Sequence, residues 1–568
     1  MKMNDSILCG YEDSRLVDYR KMSGDDPKTV AYEDLGKVKI DGVLKSNHYI
    51  DGRLMQTYTR GENHTLVIAA TRLGKTTSCV IPLIDSFSKQ KTKRSMVISD
   101  PKGELYRLLA AELKEQGYEV LLLNLRDYTH SELWNPLLPI FRLYRKAMAL
   151  SDQVEVVKTK KGFRNRFMNV VYDDQEELDD AIDQMRSMML ADVDAEIDRL
   201  MYTLIPPDNA NDQFWNDASR QWGKANLWAM LEDSNGRPGR TLITEDNFTL
   251  NTMFTIMGNL SDRCCYDNDG YFSDRGRQSK AYLEALSIIE NSSTTRRCII
   301  RCFEAKIIAI RNSTVRFLTR GSTFTMDQLT SDHPVAVFIS YPDENKTYYQ
   351  VISLFVQNAY NHLIQYADSQ GNGKLEIPFY FMLDEFGNFP KIPDFETVIS
   401  ACGGRNIWFY LVLQSYAQLN NVYGNATAEI IRDNLNLHLF LGSNNPATLE
   451  EFSKECGLTT RVAPVSALNG DREEITYYNV ETIPLVPRSM LSNLQPGECV
   501  ITEANCGYVL FSRMERYFAC KEYKHFKPSR ESDYICSSNP LSQKYAYEFM
   551  IAEKDEEEDD DDDFADLF

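Results

Sequence analysis

Long apolar runs are missing from this chain. No stretch approaches the 18 or so residues that a bilayer-spanning helix needs, so no membrane span is expected. The opening Met1-Lys2-Met3-Asn4-Asp5 is not followed by the apolar core of a signal peptide. Paired cysteines are missing too. The 12 cysteines are scattered over 568 residues with no two CxxC pairs, and Cys298 and Cys302 stand at helical spacing without histidine neighbours. That pattern argues for reduced cytosolic thiols and against a disulfide framework or a zinc site. Positive charge is short: 62 Lys and Arg face 83 Asp and Glu, for a net charge of −21. About half of the excess lies in the last 16 residues, which hold 11 acids against one lysine. The body stays acidic without them, so any nucleic-acid contact is expected to be local and patchy.

What is present is an ordinary apolar fraction of 43%, enough for two or three domains with real cores, and two motifs far apart. The first is Ala69-Ala70-Thr71-Arg72-Leu73-Gly74-Lys75-Thr76-Thr77, led in by a strand expected over Thr65–Ala69 and followed by a helix expected over Thr76–Ser86. A strand, a tight loop and a helix start aim backbone N–H groups at phosphates. Residues Ala70, Thr71, Arg72, Leu73, Gly74, Lys75, Thr76 and Thr77 are therefore the candidate nucleotide cradle. Lys75 is expected on the β- and γ-phosphates and Thr76 on Mg²⁺. Ala69 stands where the usual pattern has its first glycine.

The second motif is the apolar run Phe379-Tyr380-Phe381-Met382-Leu383 ending in Asp384-Glu385, 309 residues beyond Lys75. Adjacent carboxylates at the end of a buried strand are costly unless they are used. Asp384 is the candidate metal residue, acting through water, and Glu385 the candidate base that orients and deprotonates an attacking water. A further apolar strand, Ile407–Leu413, ends at Gln414, a candidate γ-phosphate sensor, and is preceded by Arg405. Arg405 reads equally as an arginine finger for a neighbouring subunit and as a surface arginine in a turn. Short apolar runs at Met96–Ser99, Val120–Leu123, Val335–Ser340 and Leu437–Leu441 alternate with helical patterns. The expected fold is α/β, a P-loop NTPase core with a mostly parallel sheet and its ligand at the carboxyl ends of the strands.

The long gap between the motifs implies an inserted domain. Residues 145–330 read mainly as helices, with 3–4 periodicity over Glu176–Leu190 and Gln213–Leu231. The expected division is an N-terminal segment 1–50, a nucleotide-binding domain in two parts (51–145 and 331–530), the helical insertion 146–330, and a C-terminal segment 531–568. Lys158, Lys160, Lys161, Phe163, Arg164, Arg166 and Phe167 form a basic-aromatic run, either a single-strand-binding patch or a solvated loop. A second basic series, Arg296, Arg297, Arg301, Lys306, Arg311, Arg316 and Arg320, is the stronger candidate for a channel or substrate surface. Asp555 to Asp563 are nine consecutive acids before Phe564-Ala565-Asp566-Leu567-Phe568. Such a block is expected to be disordered, serving as a solubilising tail or as a docking tail for a basic, pocketed partner.

Five elements in order carry a resemblance to a known family: the Ala-Thr-Arg-x-Gly-Lys-Thr loop, Asp-Pro-Lys-Gly-Glu-Leu at 100–105, Trp134-Asn135-Pro136-Leu137, Leu383-Asp384-Glu385-Phe386, and Gln414-Ser415-Tyr416-Ala417-Gln418-Leu419 with Tyr423-Gly424. Over residues 60–515 the chain resembles the TraG-like coupling proteins of conjugative type IV secretion. The resemblance implies a RecA-like ATPase using ATP and Mg²⁺, assembled as a ring, here a homo-hexamer, with an all-α insertion. The implied partners are single-stranded DNA, a relaxase with accessory proteins, and the type IV secretion channel ATPases. Family members commonly begin with a pair of membrane helices. Their lack here implies a cytoplasmic protein held at the inner face of the membrane by an anchoring partner. A general DNA-pumping ATPase of the FtsK/HerA type and a nucleotide-binding adaptor without motor activity stay open as alternatives.

Overall fold

The computed structural model describes residues 15–18 and most of 29–534, leaving aside 158–161, 166–169, 207–212, 238–241, 263–270, 469–473 and a few single positions. The chain divides into two compact units, one of residues 1–122, 326–349 and 359–533, the other of 123–325, 350–358 and 534–568.

The first unit is built on a ten-stranded sheet: β1 (Leu16–Asp18), β2 (Thr65–Ala69), β3 (Ser95–Asp100), β4 (Glu119–Asn124), β5 (Val335–Ser340), β6 (Phe379–Leu383), β7 (Ile407–Leu413), β8 (Leu437–Gly442), β9 (Glu498–Glu503) and β10 (Val509–Arg513). Their spatial order is β1-β10-β9-β8-β2-β7-β6-β3-β5-β4. The central run β8-β2-β7-β6-β3-β5 is parallel throughout. Two antiparallel pairs, β8 with β9 and β9 with β10, extend it. Strands β2, β3, β5, β6 and β8 are buried along their whole length. Their near-continuous apolar sequence is what a parallel strand covered on both faces requires. The fold is thus the α/β, mostly parallel architecture expected from the strand and helix alternation.

Register decides what meets at the strand tips. Residues 65–68 of β2 pair with Tyr410–Leu413 on one side and with Leu437–Phe440 on the other. Phe379–Leu383 of β6 pair with Ile407–Leu411. Strand β7 therefore lies between the strand entering the phosphate loop and the strand ending in the two carboxylates. The helix after the loop starts with a π-helical turn, Lys75–Val80, and continues as α1 (Ile81–Lys89). After β3, Gly103 takes φ +67 and opens α2 (Glu104–Glu115). Asp100 Oδ2 accepts the Tyr106 N–H at 2.9 Å, binding the strand tip to the helix.

At the amino ends of the strands the polar groups are closed in. The Arg94 side chain is fully buried and donates to Glu62 Oε1 at 3.0 and 2.6 Å. Tyr380 donates to Glu62 Oε2 at 2.5 Å, and the guanidinium lies 5.0 Å from the centre of the Phe87 ring. Buried His64 accepts the Phe409 N–H through Nδ1 at 3.0 Å. Burial pushes its pKa down to about 4, so it stays a neutral acceptor.

Two features of this unit have no counterpart among the sequence expectations. Thr29–Ala31, Leu44–Ile50 and Arg53–Tyr58 form a separate three-stranded antiparallel sheet. Its tight turn is Asp51-Gly52, both at positive φ. Leu458–Leu468 and Glu474–Pro484 form an antiparallel hairpin of eleven-residue strands.

The second unit is mainly helical, its longest helices being Gln175–Leu204, Gln213–Asp233 and Ser293–Lys306. Asp174, Ser279 and Ser292 cap helix starts with their side chains, satisfying backbone N–H groups that would otherwise lack partners. Gly223 marks where three helices meet: a Cβ there would lie 2.4 Å from Met201 and 2.8 Å from Phe303. Lys224, one residue on, bridges Asp194 and Asp198 at 2.9 Å each. The unit adds one thing to the helical expectation, a three-stranded antiparallel sheet of Val154–Val157, Gly162–Asn165 and Val171–Tyr172. Lys158, Lys160, Lys161, Arg166 and Phe167 of the basic-aromatic run lie outside the described residues, as does the acidic tail 555–568 with Phe564, Leu567 and Phe568. Among the described residues no helix is long and apolar enough to cross a membrane.

Candidate nucleotide-binding site

The tips of β2, β6 and β7 bring the two motifs together. Lys75 Nζ lies 3.0 Å from Glu385 Oε1 and 3.4 Å from Asp384 Oδ1. Thr76 donates from Oγ1 to Asp384 Oδ2 at 2.9 Å. Gln414 Oε1 accepts from Thr71 Oγ1 at 3.3 Å. Burial works against the charged form of Lys75, but Asp384 and Glu385 outweigh it and hold the pKa above the usual lysine value. Lys75 is thus a full cation with 13% of its side chain exposed, beside two carboxylates.

The backbone reinforces this geometry. Gly74 adopts φ +92 and Arg72 φ +70, so the loop turns back sharply before the helix starts. Glu385 is also left-handed, at φ +57, an arrangement that costs a non-glycine residue about 1 kcal/mol or more. Its N–H donates to Asp384 Oδ1 at 2.9 Å, and its Oε2 accepts from Asn388 at 3.1 Å. Gln414 is braced in turn, its N–H donating to Gln418 Oε1 at 2.8 Å. Ala70 donates its N–H to the Gly442 carbonyl at 2.9 Å, tying the loop to the end of β8.

The site suits a magnesium nucleotide. A hard divalent cation takes oxygen ligands at about 2.1 Å in an octahedron, which puts neighbouring ligands about 3 Å apart. The Thr76 hydroxyl and the Asp384 carboxylate, 2.9 Å apart, bring two such oxygen donors to one point, Thr76 for direct ligation and Asp384 for contact through a water of the ion. Backbone N–H groups of residues 74–77, at the start of the helix, offer the anion-binding half, whereas the Leu73 N–H is bonded to the Ala70 carbonyl at 3.3 Å.

Arg405 is not part of this cluster in its own chain. It precedes β7, whereas Gln414 follows it, so about seven strand residues, roughly 23 Å, separate the two. Arg405 Nε is engaged by Asp368 Oδ1 at 2.7 Å. Three groups around the site were not singled out from sequence. Ser99 donates to the Asp384 carbonyl at 3.1 Å, Asn388 holds Glu385, and Arg516 lies against the loop at Gly74. Asn388, three residues past Glu385, carried the only local signal. Arg516 is 442 positions from Gly74, beyond any sequence pattern. A second polar cluster, Asp85, Glu112 and His525, is already filled by Lys89, whose ammonium is 2.6 Å from Asp85 and 3.6 Å from Glu112.

Comparison with known proteins gives a consistent result. A family model described as "Type IV secretory system Conjugative DNA transfer" matches residues 20–479. The chain is similar to Protein VirD4 of Agrobacterium fabrum, 22% identical over 446 residues that cover 76% of this chain and 56% of that protein. It is similar to Conjugal transfer protein TraG of Escherichia coli, 23% identical over 462 residues that cover 79% of this chain and 63% of that protein. The chain thus spans somewhat over half the length of the curated relatives it matches. Among solved structures, the bacterial conjugative coupling protein TrwBdeltaN70 shares the fold, with a TM-score of 0.53 at 13% identity over 90% of this chain and 95% of that one. The plasmid coupling protein TrwB in complex with ADP and Mg²⁺ matches with a TM-score of 0.51 at 14% identity, covering 89% of this chain and 95% of that chain.

Proposed function

Because the chain belongs to the type IV secretory system conjugative DNA transfer family, we propose that it is a coupling ATPase. It binds Mg-ATP at the tips of β2, β6 and β7 and uses hydrolysis to recruit relaxase-bound single-stranded DNA and move it to a secretion channel. The observation that carries this reading is the meeting of Lys75, Thr76, Asp384 and Glu385 within 3.4 Å, across more than 300 residues of chain. In this reading Lys75 exchanges its carboxylate partners for the β- and γ-phosphates. Thr76 would hold Mg²⁺ directly and Asp384 through a water, and the ion would supply positive charge to the phosphates. A Glu385 oxygen accepts the proton of the attacking water as its oxygen bonds to the γ-phosphorus and the bond to ADP breaks. Gln414, fixed by Gln418, reports on the γ-phosphate. The proposed working form is a ring of identical subunits, reaching the membrane through a partner and handing its substrate to the channel ATPases.

The test is phosphate release by the wild-type chain with and without single-stranded DNA, with Lys75→Ala as control. The expected outcome is hydrolysis that rises with DNA and is absent in the variant. No hydrolysis with DNA at any protein concentration would overturn the motor in favour of a nucleotide-binding adaptor. Stimulation by duplex DNA alone would favour a general DNA-pumping ATPase.

A further inference from the structure

The nucleotide site as read above is short of positive charge. Lys75 faces both Asp384 and Glu385, so its single charge is more than cancelled before a nucleotide arrives. A second, half-buried cation stands nearby on a segment that no motif includes. A Cβ built on Gly74 would lie 3.3 Å from Arg516 Nε and 3.3 Å from Thr77 Oγ1. The Arg516 guanidinium therefore rests against the cradle half of the loop. Among the described residues it has no carboxylate partner, and its one side-chain neighbour of note is the Phe518 ring, whose centre lies 5.9 Å away.

Arg516 is held firmly on both sides. Upstream, Met514 donates its N–H to the Gly497 carbonyl and Glu515 to the Asn47 carbonyl, both at 2.7 Å. Downstream, the Ala519 N–H bonds the Arg516 carbonyl at 2.9 Å, and Cys520 and Tyr523 pack with Leu54 in a small apolar core. Tyr49 donates to Glu522 at 2.6 Å, and Tyr523 accepts from Gln56 at 3.2 Å. The short helix Tyr517–Ala519 touches the Lys75–Val80 turn. The backbone that carries Arg516 is therefore already in place, and only its side chain is left to order when it meets an anion.

We propose that Arg516 is a nucleotide-binding residue that contacts the α- or β-phosphate, so that the segment following β10 completes the phosphate cradle from outside the loop. This rests on the nucleotide reading of the site. Gly74 and Thr77 belong to the part of a phosphate loop whose N–H groups face the α- and β-phosphates, whereas Lys75 reaches toward the γ-phosphate. Arg516 should therefore bind ADP as strongly as ATP and act on affinity rather than on the chemical step.

The experiment is calorimetric titration of Mg-ADP into the full chain and its Arg516→Ala and Arg516→Gln variants, with melting temperatures and steady-state ATP kinetics alongside. The expected result is a Kd for Mg-ADP raised about tenfold or more in both variants, a KM for ATP raised in step, and kcat within about threefold of wild type, as the loss of a charge-assisted phosphate contact predicts. Arg516→Gln keeps most of the side-chain volume. A raised Kd in that variant at unchanged melting temperature separates a phosphate contact from a packing role. If wild type binds Mg-ADP and both variants bind it within twofold of wild type, or if Kd rises only where melting temperature falls, this inference is overturned and the nucleotide site stands. If wild type binds no Mg-ADP, the nucleotide site itself is overturned, and this inference with it.

Discussion

The two edges of the central sheet use charge in opposite ways. At the amino ends of the strands, Arg94, Glu62 and Tyr380 form a closed group with no exposed guanidinium, roofed by Phe87. At the carboxyl ends, Lys75, Asp384, Glu385 and Thr76 also bond one another, but they are partly exposed and include one residue, Glu385, with left-handed backbone. Both sets are salt-bridged, so an ion pair alone does not mark a working site. The difference lies in the backbone. In the lower group Glu62 and Arg94 lie in loops and Tyr380 in a strand, none of them at positive φ, while the upper group has Glu385 at φ +57 and stands beside Arg72 and Gly74 at φ +70 and +92, strain of the kind that collects where a chain must present a group.

The comparison can be broken most sharply at Glu385. Glu385→Gln keeps the side-chain shape and is expected to cut ATP turnover by about 10²- to 10⁴-fold with nucleotide binding intact. Turnover at the wild-type rate would mean that another group is the base. At the opposite edge the expected loss is in folding. Glu62→Ala leaves the Arg94 charge buried and unpaired and is expected to cost about 3–5 kcal/mol in urea unfolding, with kcat per folded molecule unchanged. A cost under about 1 kcal/mol would show that this pair is not the closed structural group described.

Asp100 sharpens the contrast, because it sits at the carboxyl edge yet behaves as a structural group. Burial pushes its carboxyl up to about 6, opposed by the N–H groups of Tyr106 and Leu105 and aided by the charges of Glu531 and Glu104. A carboxyl whose pKa is raised on folding favours the folded state below its unfolded value, near 3.8, and loses that contribution as pH rises toward 6. Buried His48 and His64, both pushed down to about 4, act in the opposite sense, their contribution being lost as pH falls from about 6.5. Asp100→Asn removes only the first effect. Urea midpoints at pH 4 and pH 7 should show the variant gaining on the order of 2 kcal/mol relative to wild type across that interval. A constant difference between the two proteins would assign Asp100 an ordinary carboxyl.

Much of this was readable from sequence because it is local. Thr65–Ala69, Val335–Ser340 and Ile407–Leu413 are the strands that their apolar runs announce, Asp384 and Gln414 each follow a strand directly, and Lys75 lies one short loop beyond another. The Asp51-Gly52 hairpin carried a turn signal of the ordinary kind, but its strands contain Lys45, Asn47, His48 and Gln56, which break the alternation of a half-buried sheet. The sheet at 154–172 is built from strands of two to four residues, too short for a period to show. Arg516 and Ser99 owe their places to tertiary packing and register, and nothing in the residues around them distinguishes them from any arginine or serine after or within a strand.

The sheet order also sets a timetable for synthesis. Strand β2 finds its neighbours only in β7 and β8, the first of which begins more than 330 residues later. At ribosomal speeds of about 5–20 residues per second, that apolar strand and its phosphate loop wait on the order of tens of seconds for a partner. In the same interval residues 123–325 have all emerged, and they make up most of the mainly helical second unit. The nascent chain thus carries most of its helical unit well before the neighbours of β2 exist, and the segment left longest without a pairing partner is the one that leads into the 69–77 loop.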